Sequence, residues 1–225
     1  MATDRLKIYN GALLICGERQ LASLTEAREP RHLLDNVWND GGLRYCLEQA
    51  QWNFAMRTAK LTHDPDVEPA FGYRYAFEKA TDWVETSAVC QDPYYNVPLV
   101  QYADEIGWWF ADITPIYTKW VSDGETFGLN LANWPYSFTE YVKHFFASKI
   151  ILKITSDKQR QQTLLGPPGR PDKGTLAYAL QLAKNKDAMA KPAQKTAQGG
   201  WSSARQGGWG VRGRGDGGSG GSLIG

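Results

Sequence analysis

Residues 134–155 read WPYSFTEYVKHFFASKIILKIT. Phe138, Tyr141, Val142, Phe145, Phe146, Ile150 and Leu152 recur at the three-and-four spacing of an α-helix, and so many of them predict a heavily buried one. Ser137 stands where it can cap this helix, with Glu140 three residues on as the partner in a capping box. Toward the N-terminus two more helical patterns appear. From Asp4 to Cys16, the residues Leu6, Tyr9, Leu13 and Cys16, with Ile8, Ala12 and Ile15 beside them, predict a short amphipathic helix stopped by Gly17. A second helix opens at Pro30, carries Leu33, Leu34, Val37, Trp38, Leu43, Cys46, Leu47 and Ala50, and is expected to bend at Gly41-Gly42. Toward the C-terminus a loop through Gly166-Pro167-Pro168-Gly169 leads to a last helix within PDKGTLAYALQLAKNKDAMA, residues 171–190.

Between the helices the character changes. FAMRTAKL, FGYRYAFEK, DWVETSAVCQ and PLVQYADEIGWWFADITPIYTKWV are aromatic or β-branched segments separated by Asp-Pro, Pro-Tyr-Tyr and Asp-Gly turn signals, which predicts a small antiparallel sheet. Beyond Lys191 no periodic apolar pattern survives. The expected class is α+β, mostly α. Residues 1–52 and 135–190 form a helical bundle, residues 53–134 a β-rich aromatic and acidic insertion, and residues 191–225 an extended Gly/Trp/Arg arm.

The 225 residues carry 25 Lys and Arg against 24 Asp and Glu, so net charge gives no global argument for a nucleic-acid or membrane partner. Local charge is another matter. Between Asp82 and Glu125 eight acids face the single base Lys119, whereas the arm has Lys191, Lys195, Arg205, Arg212 and Arg214 against Asp216. Cys16, Cys46 and Cys90 are widely spaced, without a CxxC pair, and read as buried thiols in a reducing compartment. The first twenty residues have an apolar run too short for a bilayer and interrupted by Asn10 and Gly11, so neither a signal peptide nor an anchor is expected. Nine tryptophans, several on segments that look exposed, favour interfaces.

Motifs for catalysis are missing from the sequence: there is no G-x-S-x-G, HExxH or phosphate loop. His32, His63 and His144 fall on different elements, and neither a cofactor nor a metal set is expected. The strongest enzyme-like feature is Asp104, Glu105 and Asp112 among Trp108, Trp109, Phe110 and Trp120, since paired carboxylates beside aromatic platforms are what sugar cleavage needs. Strand alternation gives the simpler reading, in which these acids are the solvent-facing half of strands whose aromatic half packs inward. The arm, GGWSSARQGGWGVRGRGDGGSGG, admits three readings. Arg-Gly repeats with aromatics resemble RNA-binding segments, but the basic count is low. Arg214 to Asp216 spell an adhesion-type Arg-Gly-Asp tripeptide, a chance match in a chain without a secretion signal. The third reading is a docking arm with Trp201 and Trp209 as apolar anchors and Arg205, Arg212 and Arg214 as polar clamps. Fully extended, its 35 residues reach roughly 110 Å at ~3.3 Å per residue.

The order of these segments is similar to the tail tubular protein A family of bacteriophages, the head-to-tail adaptors. An N-terminal helix ending in an Ile/Leu-x-Gly-Glu turn with a following Ser-Leu is matched by Ile15-Cys16-Gly17-Glu18 and Ser23-Leu24. The Trp-Asn-Phe-Ala signature is matched by Trp52 to Ala55, and the Pro-led helix by Pro135 to Thr155. The resemblance covers roughly residues 6 to 190; the long arm departs from the shorter family members. It implies a mostly helical subunit with a small β domain and no enzymatic activity, assembled as a dodecameric ring in the virion neck. Its implied partners are its own copies, the portal protein, the tail nozzle or next tail component, and double-stranded DNA that passes through without specific binding; no membrane is involved. The protein would be made in the host cytoplasm. On this reading Asp104, Glu105, Asp112, Asp123 and Glu125 are candidates for the channel wall or the tail interface, because carboxylates repel phosphate and let a genome slide. The competing class is a carbohydrate-active tail protein that uses the aromatic and acidic insertion.

Overall fold

A computed structural model describes residues 3–70 and 72–190 of the chain. Helix α4 (Tyr136–Thr155) is the centre of the helical part, and α1 (Arg5–Cys16), α2 (Glu29–Asn39), α3 (Gly42–Leu47), α5 (Lys158–Leu165) and α6 (Thr175–Met189) all pack on it. α4 buries Phe138, Tyr141, Val142, Phe145, Phe146, Ala147, Ile150 and Ile151. Leu152, expected inside, is 43% exposed, and Ile151 takes the inward position instead. The expected capping box does not form. Pro135, with φ −58°, pre-sets the first turn, Thr139 N–H already donates to Pro135 O at 3.0 Å, and Ser137 is left inside the helix. Glu140 pairs with Lys143 at 2.8 Å.

The other helix ends follow their chemistry. Asp4 caps α1 by accepting from Lys7 N–H at 2.8 Å. Gly17 stops it at φ +77°, and the N–H groups of Gly17 and Glu18 turn back onto the carbonyls of Leu14 and Leu13. The bend expected at Gly41-Gly42 is a full break, with Gly41 left-handed at φ +80° between α2 and α3. A side chain at position 42 would put its Cβ 2.5 Å from Val37 O, so the next residue must also be glycine. Helix α5 has no apolar period to announce it, since only Leu164 is buried; it is started by Asp157, whose Oδ1 accepts from the Gln159 and Arg160 N–H groups.

The insertion folds as two three-stranded antiparallel sheets where the sequence suggests one. β1 (Met56–Leu61), β6 (Ile116–Ser122) and β3 (Trp83–Cys90) form the first in the order β1-β6-β3; β2 (Tyr75–Glu78), β5 (Trp108–Ala111) and β4 (Tyr102–Glu105) form the second in the order β2-β5-β4. Both central strands carry buried tryptophans, Trp120 on β6 and Trp109 on β5, with ring centres 6.2 Å apart. One flat sheet could not cover both rings, whereas two facing layers bury them together with Phe77, Val89, Leu99 and Ile116. Val84, Val121 and Met56 join the helical core, so the first sheet is continuous with the helices. The mixed α+β class is thus observed. No helix among the described residues is long and apolar enough to cross a membrane. The expected arm, with Trp201, Arg205, Trp209, Arg212 and Arg214, lies outside the described residues.

Candidate functional site

Asp104, on β4, meets Lys79, the residue just past β2, at 2.5 Å. The Lys79 side chain is only 3% exposed, and its ammonium sits 3.7 Å from the centre of the Trp83 ring. Thr86 Oγ1 accepts from the indole N–H of Trp83 at 3.1 Å and of Trp109 at 3.0 Å. Partial burial pushes the Asp104 carboxyl up, but hydrogen bonds from Lys79, Thr86 and Trp109 and the Lys79 charge outweigh it and hold the group below the usual carboxylate range. This node is closed and charge-balanced. It ties the two sheets together.

Two further acids are consumed in the same way. Asp82 accepts from Arg57 at 2.7 Å and from Ser122; burial opposes ionisation there, and those bonds reverse it, so this carboxyl also lies below its usual range. Asp123 pairs with Arg44 at 2.6 Å, and Arg44 also donates to Trp83 O at 2.8 Å. Asp92 organises its own loop by accepting from the N–H groups of Val97, Asn96 and Tyr94. The bases Lys79, Arg57 and Arg44 lie outside the Asp82–Glu125 window, so a local count overstates its negative charge by three. Glu105, Asp112 and Glu125 are exposed and form no ion pair among the described residues.

The three acids singled out for sugar cleavage do not converge. Asp104 and Glu105 are neighbours on one strand and face opposite sides of the sheet, while Asp112 follows the far end of β5, where its carboxylate accepts from Arg74 N–H at 3.1 Å. The histidines are also apart. His63 packs on Tyr75 with ring centres 4.7 Å apart, His144 Nδ1 lies 2.8 Å from Glu140 O, and His32 is exposed beside Arg31. Cys16, Cys46 and Cys90 are buried free thiols; burial raises Cys16 to about 11. A groove of about 500 Å³ beside α1, α4 and α5 is lined by Leu14, His144, Ile151, Arg160 and Leu164 among others, without a carboxylate or thiol.

What the sequence reading missed is the outer face of the second sheet. The register places Trp108 of β5 directly between Glu78 of β2 and Glu105 of β4, and Phe110 between Ala76 and Ala103. Trp108 and Phe110 are half-buried, both glutamates are exposed, and Ile106 at the hairpin tip is 99% exposed. A hollow of about 130 Å³ opens beside Phe110, lined also by Pro69, Ala70, Tyr73 and Glu105. The hairpin ADEIGWWF already signalled the Glu105–Trp108 pair; Glu78 joins only through a pairing thirty residues away in sequence. On the helical part Leu14, Tyr136, Tyr178 and Met189 are each more than two-thirds exposed or close to it. No protein-family model matches the chain, and no curated protein matches it in sequence.

Proposed function

We propose that the chain is a structural virion subunit, a head-to-tail adaptor that assembles as a dodecameric ring between the portal and the tail nozzle or next tail component. The observation that carries this reading is the order and spacing along the chain of Ile15 to Glu18, Trp52 to Ala55 and Pro135 to Thr155, which resemble those of the tail tubular protein A family. Large apolar side chains exposed on separate elements, among them Leu14, Tyr136, Tyr178, Met189, Val100 and Ile106, are compatible with a subunit that meets neighbours on several sides. The segments that carry the family resemblance occupy joints of the fold, which supports the same reading. Ile15 to Glu18 close α1; Trp52 packs edge-on against Phe138 at 4.8 Å; Asn53 holds Asp187 of α6 through two hydrogen bonds; Pro135 to Thr155 are the central helix of the bundle.

Of the acids considered for the channel or tail interface, Asp104 and Asp123 are neutralised by Lys79 and Arg44, which leaves Asp112 and Glu125 to act on passing DNA or on the tail side, while Glu105 is exposed beside Trp108 on the outer face of the second sheet. Residues 191–225 are the docking arm, with Trp201, Arg205, Trp209, Arg212 and Arg214 in contact with the portal or an adjacent subunit. The carbohydrate-active alternative loses the acids it was built on, since Asp104, Glu105 and Asp112 do not converge and Asp104 is tied to Lys79. Light scattering coupled to gel filtration tests the adaptor reading with the full-length chain and with a chain cut after Met189, each alone and with the portal. The full-length chain is expected to join the portal ring and the cut chain to lose that binding. Two monomers that both ignore the portal would overturn the reading.

A further inference from the structure

The outer face of the second sheet has the composition of a guanidinium site. Glu78 and Glu105 stand on either side of Trp108, about 10 Å apart across two strand spacings of ~4.8 Å. An aromatic face attracts a cation, and a carboxylate holds a guanidinium by paired hydrogen bonds, so the three side chains together select arginine over a neutral ligand. Among the described residues no cation fills the role: Glu78 and Glu105 form no ion pair, although Lys79 and Arg74 are near in sequence. The hollow beside Phe110 and Tyr73 adds a place for one apolar ring.

The chain itself carries the complementary segment. Residues 205–214 read RQGGWGVRGR, within an arm that holds five bases against one acid. In an extended chain Arg212 and Arg214 project to the same side about 6.7 Å apart, and Gly213 and Gly215 carry nothing that would keep the backbone off the sheet. We propose that this face binds the Arg-Gly segment of a second copy of the chain. Arg212 and Arg214 take Glu105 and Glu78 across Trp108, and Gly210 lets the Trp209 indole turn into the hollow. The inference rests on the adaptor reading for the second copy, since ring neighbours present their arms to one another, and it makes the arm a strap between subunits.

The test uses the full-length chain in two labelled pools. One carries a donor dye at Thr81→Cys, exposed beside the face, and the other an acceptor at Ser219→Cys in the arm; the three native thiols are buried. Energy transfer is expected on mixing, with a tenfold or greater loss of apparent affinity for E78R/E105R in the first pool or R212E/R214E in the second, and recovery when the two reversed pools are combined. Absence of transfer between pools, or transfer indifferent to both charge reversals, overturns the proposal. The mass of the same samples separates the two ideas. With purified portal added to these samples, uptake of the chain by the portal without transfer sinks the strap alone, and a portal of unchanged mass without transfer sinks the adaptor reading as well.

Discussion

Lys79 brings a positive charge into the β part with almost no access to water, and everything around it compensates that charge: the Asp104 carboxylate and the faces of Trp83 and Trp109. Removing the carboxylate with Asp104→Ala leaves the ammonium unpaired, and chemical denaturation should show a loss of about 3 kcal/mol, the low end for a broken buried pair because Asp104 is itself a third exposed. The carboxyls of Asp104 and Asp82 are depressed in the folded state, so their contribution is fully present above the unfolded value near ~3.9 and is lost as pH falls through the lower folded values. Thermal melts should therefore be level from neutrality to about pH 5 and drop steeply below about 4, less so in D82N/D104N. A melting temperature unchanged down to pH 3 would count against these pairs. The thiols give an independent check on burial. With Cys16 raised to about 11 and Cys46 pushed up further by burial, a thiol reagent at pH 8 should label the native chain slowly and the unfolded chain at all three cysteines.

Elements meet at a few joints, and those joints predict local rather than global effects. Asn53 donates from its side chain to Asp187 O at 2.8 Å and from its backbone to Asp187 Oδ1 at 2.9 Å, fixing the end of α6 beside the start of β1. Asn53→Ala should cost about 1 kcal/mol and raise amide exchange in the last turn of α6 while the sheets stay protected. Gly17→Ala forces a Cβ into a left-handed residue and to 2.7 Å from Arg160 Nη1, which also donates to Cys16 O; about 1 kcal/mol or more should be lost in denaturation. Helices with strong local signals were legible: α1 with its Gly17 stop, the interruption at Gly41-Gly42, the apolar mass of α4. So were the strands, as aromatic segments between turns. Illegible were the features set by partners far away in sequence. Nothing local says that Trp109 and Trp120 belong to different sheets, that Arg44 reaches Asp123 seventy-nine residues on, or that Glu78 stands beside Trp108. Ser137 and Glu140 offered a capping signal that Pro135 pre-empted.

At the scale of the molecule, the proposed adaptor role requires that the acidic aromatic face of the second sheet and some of the exposed apolar side chains be covered by other subunits. The candidate acids were half legible: Asp104 and Glu105 could be placed in a strand segment, but not the silencing of Asp104 by Lys79 and of Asp123 by Arg44. The most direct test of the central claim is native mass measurement of the full-length chain mixed with purified portal. Addition of many copies of the 25.1 kDa chain, at or near twelve, to each portal ring is the predicted result. A portal of unchanged mass beside a free 25.1 kDa monomer would contradict the account.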